Sequence, residues 1–309
     1  MFCHDVLFVF AGAGWGTRLR QAGTLSLPKI IYPLADEKGW TPLEYHLRLL
    51  APPTTIGLIA GYHKAIVADY LSKQNVFGHE AEHLHWIPTL FHPPLVENNA
   101  PSAGLPNFPY GAGAWLVFEE ELITSFQRQG ISIIVQTDGN KVGERSEIVM
   151  KMIEQLRASN AEWVVAIYND MRPDMAAANS NWHKRFDILC DAKGYPKGYA
   201  PNEGEIIAGW YALKINSLPR LWNAQIRQAL EEKAAQYPQK RQLHWNNEAI
   251  NLKIVEINLP ILLEYFRLET FAASRDRADL GIGLKTASDI SKCKDLFARR
   301  EEEGALRKC

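Results

Sequence analysis

Short, continuously apolar runs alternate along this chain with segments whose apolar residues recur at helical spacing. The apolar runs occupy residues 6–10, 55–60, 131–135 and 163–167. Runs of this length and composition are typical of strands buried on both faces of a sheet. Residues 64–72 and 144–158 lie between such runs and are predicted to be helices. Strands separated by helices indicate βαβ units, and therefore an α/β fold with a mostly parallel sheet.

Three further segments complete this organisation. Residues 41–44, Thr-Pro-Leu-Glu, predict a helix start with Thr41 as the N-cap. Residues 91–110 form a long segment rich in Pro, Asn and Gly, and loops of that length are usually functional or disordered. Residues 186–214 predict a hairpin-like excursion that turns at 191–194 and returns through 206–213. Because no repeat or low-complexity linker divides the chain, we expect residues 1–309 to form one domain with insertions.

The first apolar run leads into a loop with glycine at positions 12, 14 and 16. A glycine-rich turn after a strand leaves backbone N–H groups accessible to phosphate. On its own the pattern is weak, since plain turns, dinucleotide sites and methyl-donor sites share it. The dinucleotide fingerprint requires a third glycine where this chain has Thr17, and the methyl-donor pattern usually has an acidic residue where this chain has Phe10.

Composition narrows the possible partners. The 34 Lys and Arg residues balance 35 Asp and Glu residues, which argues against a basic face for nucleic acid or a polybasic membrane anchor. No apolar stretch approaches the roughly twenty residues of a membrane span, and we expect no secretory leader. The four cysteines are far apart in sequence, at positions 3, 190, 293 and 309. A reducing, cytoplasmic location is therefore expected.

The glycine loop and the segment after it resemble a known family. The stretch Ala13-Gly14-Trp15-Gly16-Thr17-Arg18-Leu19 is followed by Pro28-Lys29-Ile30-Ile31-Tyr32-Pro33-Leu34. This order is similar to the signature of the sugar-1-phosphate nucleotidyltransferases, also called nucleoside-diphosphate-sugar pyrophosphorylases. The resemblance implies a Rossmann-like three-layer sandwich of the nucleotide-diphospho-sugar transferase type, and it is sharp over roughly the first fifty residues.

The resemblance also implies roles for individual residues. It assigns Arg18, Lys29 and Asp138 to catalysis, with Asp138 as a metal ligand just after the apolar run at 131–135. Nucleotide-binding residues would be Gly12, Ala13, Gly14, Gly16, Thr17 and Gly111. Sugar-phosphate residues would be Gly209, Tyr211 and Lys197. The second metal ligand would be Glu248 or Asn247, although a helix cap is an equally good interpretation of that segment.

The chemistry of this family suits these residue types. A sugar-1-phosphate oxygen attacks the α-phosphorus of an NTP in line, and pyrophosphate leaves. Catalysis then depends on positioning and on neutralising negative charge. The resemblance implies Mg²⁺ as cofactor, slightly favours UTP or dTTP, and assigns residues 91–110 to a lid that reads the base. Homo-oligomerisation is left open.

Two alternatives compete with this assignment. The chain lacks the family's base-reading glutamine and its Glu-Lys-Pro stretch, and it has Ala112 where a threonine is usual. These departures would suit an inactive regulatory protein that binds nucleotide or sugar phosphate. In addition, His79, Glu80 and His83 match the His-Glu-x-x-His pattern of zinc proteases. Gly78 and Pro88 border that motif, and residues 83–87 alternate as a strand would, so we expect a charged turn there instead.

Overall fold

The computed structural model describes residues 4–12, 27–60, 64–73, 83–87, 120–168, 186–190, 196–201, 206–222, 242–245, 248–251, 266–274, 280–284 and 286–307. Its strands are β1 Val6–Ala11, β2 Thr55–Ile59, β3 Leu84–Trp86, β4 Ile133–Asp138, β5 Lys141–Glu144, β6 Trp163–Tyr168, β7 Phe186–Cys190, β8 Pro196–Pro201, β9 Ile206–Lys214, β10 Gln242–Trp245, β11 Glu248–Asn251, β12 Leu268–Ser274 and β13 Leu280–Gly283. Its α-helices are α1 Pro42–Leu49, α2 Lys64–Lys73, α3 Glu120–Arg128, α4 Ser146–Ala158 and α5 Ala287–Glu302. Two 3₁₀ segments, Lys29–Ile31 and Ile215–Trp222, complete the description.

The centre of the molecule is a seven-stranded mixed sheet in the order β12-β6-β9-β4-β1-β2-β3. Of these seven strands, β9 runs antiparallel to both of its neighbours, and the other pairs are parallel. The predicted α/β fold with a mostly parallel mixed sheet is therefore confirmed. The four apolar runs predicted as strands are β1, β2, β4 and β6.

The sheet is covered on both faces. Val6, Phe8 and Phe10 of β1 belong to a core cluster shared with α1 and α4. On β3, Leu84 and Trp86 pack against that same cluster, whereas His85 contacts Phe126 of α3 edge-on. Because side chains alternate across a strand, α3 lies on the opposite face from α1 and α4.

Local sequence explains where two helices begin. Thr41 caps α1, since its hydroxyl accepts a hydrogen bond from the Glu44 amide at 3.1 Å, and Pro42 occupies the first turn. The predicted start of this helix is thus confirmed. Helix α5 begins with a reciprocal capping box between Thr286 and Asp289.

A C-terminal layer, formed by β5, β13 and α5, packs beside the central sheet. β5 pairs antiparallel with β13, and Arg300 of α5 donates from Nε to the Gly143 carbonyl at 2.8 Å. Trp40 stacks on Phe297 with ring centroids 4.4 Å apart, which joins the layer to the residues before α1. Strand β5 ends at Glu144, the first residue of the helix predicted over 144–158, and the helix itself begins only at Ser146.

Two predictions about the second half of the chain need correction, one about a hairpin and one about a helix cap. The strand predicted to return through 206–213 exists as β9, but it joins the central sheet, and the hairpin partner of β7 is β8. The helix cap considered for Asn247 and Glu248 is wrong at Glu248, which opens β11 in an antiparallel pair with β10.

Candidate active site

The carboxyl ends of β1 and β4 meet at one edge of the sheet. Ala11 is the register partner of Asp138, and each strand continues into a glycine. The Gly12 amide donates to the Ile59 carbonyl at 2.7 Å, and the Gly139 amide donates to the Ala11 carbonyl at 2.8 Å. Ligands of open α/β sheets bind beyond this edge, where the partly exposed Asp138 lies.

The 3₁₀ turn Lys29–Ile31 is docked on this edge through Ile30. A Cβ on Gly12 would lie 2.9 Å from Ile30 Cδ1, and a Cβ on Gly139 would lie 2.8 Å from the same atom. Both separations are shorter than normal carbon contacts, so the Ile30 side chain occupies the space that these two glycines leave. Ile30 is 1 % exposed, and its burial carries the partly exposed Lys29 to the site edge.

This packing corrects one detail of the phosphate-loop prediction. The Gly12 N–H is engaged with Ile59 inside the sheet, so it is not a donor available to a triphosphate. What position 12 requires is the absence of a Cβ beneath Ile30. The other predicted loop residues, Ala13, Gly14, Gly16, Thr17 and Arg18, lie outside the described residues.

Strand β9 brings the predicted sugar-side residues to the other flank of β4. Tyr211 is the register partner of Gln136, and Trp210 is that of Thr137. The Thr137 hydroxyl donates to the Gly209 carbonyl at 3.3 Å. Gly209 has a φ of +79°, a backbone conformation that glycine adopts readily. Gly209 and Tyr211 therefore lie beside the end of β4 that carries Asp138.

The remaining predicted residues are less well placed. Lys197 lies on β8 and Glu248 on β11, both in two-stranded sheets outside the central one. Gly111 and Asn247 fall outside the described ranges. The structure thus brings Gly12, Lys29, Asp138, Gly209 and Tyr211 to one sheet edge.

Buried ionisable residues behind this edge were not predicted from the sequence. Glu144 is fully buried; burial raises its pKa to about 7, and the nearby Lys141 opposes that shift. His46 is also fully buried and stacks on Phe10 at 4.1 Å. Burial, with a contribution from Lys141, lowers the His46 pKa to about 3, so its imidazole is neutral. The sequence signal for this buried group was Lys141, which follows Asp138-Gly139-Asn140, but a segment of that composition is typical of a solvated turn.

The donor set at this edge can be compared with the needs of Mg²⁺. Within the described ranges, no three His, Cys, Asp or Glu side chains are close enough together to hold a metal ion. Mg²⁺ in phosphate-transfer sites is commonly bound by one or two carboxylates together with substrate phosphates and water. A single partly exposed aspartate at the carboxyl edge of the sheet fits that requirement.

The protease motif meets a strand instead of a helix. His83 immediately precedes β3, so no helix continues beyond it, whereas His79 and Glu80 lie outside the described residues. The strand predicted from the alternation at residues 83–87 is confirmed as Leu84–Trp86. The described end of this motif therefore lacks the helix on which zinc proteases carry their histidines.

Comparison with solved structures identifies proteins of the same fold. A protein assigned as UDP-N-acetylglucosamine pyrophosphorylase from Entamoeba histolytica matches with a TM-score of 0.62 and 12 % identity over 97 % of this chain and 82 % of its own. The UDP-N-acetylglucosamine pyrophosphorylase from Trypanosoma brucei, solved with an inhibitor, matches with a TM-score of 0.59 and 12 % identity over 95 % of this chain and 65 % of its own. At this identity the likeness shows a shared fold.

Other comparisons gave no match. No family model matches the chain, and no curated protein matches it. Among the helices that the structure describes, none is both long enough and apolar enough to span a membrane.

Proposed function

We propose that this protein is a nucleotidyltransferase that joins an NTP and a sugar-1-phosphate to give an NDP-sugar and pyrophosphate. The observation that carries the proposal is the docking of Ile30 over Gly12 and Gly139, which holds the turn bearing Lys29 against the strand ends where Asp138 lies. A glycine-lined strand end, a lysine and an acidic residue on the neighbouring strand suit a phosphate-transfer site. The fold shared with two UDP-N-acetylglucosamine pyrophosphorylases supports the same class of reaction.

In this reaction an oxygen of the sugar phosphate attacks the α-phosphorus, and the bond to the β-phosphate oxygen breaks. The nucleophile is already ionised, so no side chain needs to remove a proton. Lys29 would offset the negative charge that develops at the α-phosphoryl group, and Arg18 would bind the departing pyrophosphate with its fork of donors. Asp138 would hold Mg²⁺, which when bound neutralises phosphate charge.

The substrate pair is proposed from the structural comparisons. Both similar structures carry the name UDP-N-acetylglucosamine pyrophosphorylase, so UTP and N-acetylglucosamine-1-phosphate are the first pair to test. The earlier preference for UTP or dTTP rests on the family resemblance and remains a prediction. The same applies to residues 91–110 as the base-reading lid, to residues 1–309 as one domain, and to the roles of Lys197, Gly111, Glu248 and Asn247.

The proposal is tested by measuring pyrophosphate release with each of the common NTPs and a panel of sugar-1-phosphates. We expect one pair to give turnover that EDTA abolishes and added Mg²⁺ restores. Binding of the true pair should also raise the Tm by mass action. Tight binding of the pair without pyrophosphate release would favour the inactive regulatory alternative. A protein that shows no binding and no pyrophosphate release would contradict both the proposal and that alternative.

A further inference from the structure

A buried lysine reaches the site edge from the strand that follows Asp138. Lys141 opens β5 and is 7 % exposed. Its Nζ lies 3.1 Å, and its Cε 3.6 Å, from the position that a Cβ on Gly209 would occupy. The ammonium group is therefore in contact with the β9 backbone beside the end of β4.

The backbone around Lys141 is fixed on several sides. The Gly139 amide donates a hydrogen bond to the Ala11 carbonyl. The Asn140 side-chain amide donates to the Leu284 carbonyl at 3.2 Å, and the Leu284 amide donates to the Asn140 carbonyl at 2.9 Å. Lys141 itself is the register partner of Gly283 in the β5–β13 pair. The backbone position of Lys141 is therefore fixed by strand pairing and hydrogen bonds.

Topology separates Lys141 from Lys29. In the sheet order β9-β4-β1, Ile30 of the turn bearing Lys29 packs over Gly12 after β1 and over Gly139 after β4, whereas the Lys141 ammonium lies beside Gly209 in β9. Asp138, at the end of β4, lies between these two strands. Transfer between two anionic substrates needs positive charge on both, and the edge supplies one cation on each flank.

We propose that Lys141 binds the phosphate of the sugar-1-phosphate, so that Lys29 serves the NTP and Lys141 serves the nucleophile. This inference rests on the proposed function and extends it by placing the nucleophile on the β9 flank. Glycine at position 209 leaves the space in which the ammonium lies, because an alanine Cβ there would be 3.1 Å from Nζ.

A purely structural role is the competing explanation, because Glu144 is buried nearby. Lys141 stabilises the charged form of this carboxylate electrostatically. The two Glu144 oxygens, however, have no hydrogen-bond partner among the described residues. If Lys141 served only to offset Glu144, removing both charges together should restore wild-type behaviour.

The test compares Lys141→Met, Glu144→Gln and the double variant, with Lys214→Met as the matched control. Lys214 is at the opposite end of β9, where its Nζ donates to the Ser159 carbonyl at 3.0 Å. Binding of N-acetylglucosamine-1-phosphate and of glucose-1-phosphate is measured by calorimetry in the presence of a non-hydrolysable UTP analogue. Binding of that analogue alone is measured separately.

We expect Lys141→Met to weaken sugar-phosphate binding by about thirtyfold or more, while analogue binding changes less than threefold. The weakening should persist in the double variant, which lacks both buried charges and therefore remains informative if the single variant folds poorly. Lys214→Met should bind both ligands as the wild type does. Unchanged sugar-phosphate affinity in Lys141→Met, or recovery of affinity in the double variant, would overturn the inference and leave the proposed function standing. A wild-type protein that binds neither ligand would contradict the proposed function itself.

Discussion

Two regions of this molecule place a glycine against a large side chain, and the two contacts serve different purposes. At the site edge, Gly12 and Gly139 make room for Ile30, which positions a lysine. In the C-terminal layer, a Cβ on Gly143 would lie 2.0 Å from Leu296 Cδ2, far inside any tolerable contact. The first contact positions a candidate catalytic residue, and the second holds helix α5 against the short strand β5.

This difference predicts where each substitution is felt. Changes to Lys29 or Asp138 at the site edge should reduce turnover more than stability, because both residues are partly exposed and are proposed to act on the substrates. Changes in the C-terminal layer should reduce stability and leave the activity of the folded fraction intact.

Gly143→Ala should be the most damaging change. Gly143 has a φ of +108°, which an alanine adopts only with strain, and the added Cβ would overlap Leu296. We expect a loss of about 4 kcal/mol or more in the free energy of unfolding, measured by urea denaturation. The double variant Gly143→Ala/Leu296→Ala relieves the overlap but not the backbone strain, and it also leaves a cavity at the buried Leu296. Its loss should therefore be smaller than the sum of the two single losses. Wild-type stability in Gly143→Ala would contradict the packing described for this layer.

Lys29→Met should affect turnover instead. Removing a cation that acts in the transition state is expected to lower kcat/KM about a hundredfold, equivalent to about 3 kcal/mol. Arg18→Ala is expected to have a similar effect, and Arg18→Lys should rescue poorly because a point charge cannot replace the guanidinium fork. The Tm should change little. Near wild-type turnover in these variants would remove the assigned cations from the reaction.

Gly12→Ala tests the docking of Ile30 directly. The new Cβ would lie 2.9 Å from Ile30 Cδ1, so we expect a stability loss of about 1–3 kcal/mol together with reduced kcat/KM. Ile30→Val removes that Cδ1 atom and should partly rescue Gly12→Ala in a double-mutant cycle. Strict additivity of the two changes would mean that Ile30 does not fill the space above Gly12.

Glu44 provides a pH-dependent test away from the site. Burial raises its pKa to about 7, although Arg48 opposes the shift. Its folded-state pKa therefore exceeds its unfolded value, and the folded protein binds more protons between about pH 4.5 and 7. Stability should fall as the pH rises through this window, by at most about 1.4 kcal/mol per pH unit. Glu44→Gln should lose only the Glu44 part of this slope, because Glu144 and His46 also have shifted pKa values and remain in the variant. An identical pH profile in variant and wild type would contradict the assigned pKa of Glu44.

The smallest effect is expected at an exposed ion pair on α2. Lys73 lies 2.7 Å from Asp69, and both side chains are more than half exposed. Lys73→Met should change stability by less than about 0.5 kcal/mol and leave turnover unaltered. This variant is the matched control for Lys29→Met, since both replace a lysine with an apolar residue of similar length. A large loss of turnover in Lys73→Met would show that the effect at Lys29 is not specific to the site edge.

The sequence predicted β1, β2, β4 and β6 of the central sheet because each is a continuous apolar run, and it predicted the α1 cap because Thr-Pro-Leu-Glu fixes the geometry locally. It did not predict β12, which has no such run. It did not predict β5, whose four residues, Lys-Val-Gly-Glu, show no apolar periodicity. The pairing of β9 with β4 and β6 was missed because strand partners depend on contacts distant in sequence.

The residues at the candidate site also differ in whether the sequence alone could identify them. Asp138 and Lys29 could be identified because they lie within short, ordered motifs. The proximity of Lys141 to the site could not, since it depends on Gly209, which is distant in sequence and close only in the fold. The buried position of Glu144 likewise depends on Gly281, whose absent Cβ leaves room for the carboxylate.

If Asp138 lies in a nucleotidyl-transfer site, ³¹P NMR of one reaction mixture should show that product formation depends on its carboxylate. Wild-type protein with UTP, N-acetylglucosamine-1-phosphate and Mg²⁺ should produce a UDP-sugar and pyrophosphate in equal amounts. Asp138→Asn should fold normally yet reduce that formation at least about a hundredfold, whereas Asp69→Asn should not. Equal product formation by the Asp138→Asn and wild-type proteins would contradict the assignment of Asp138 to a nucleotidyl-transfer site.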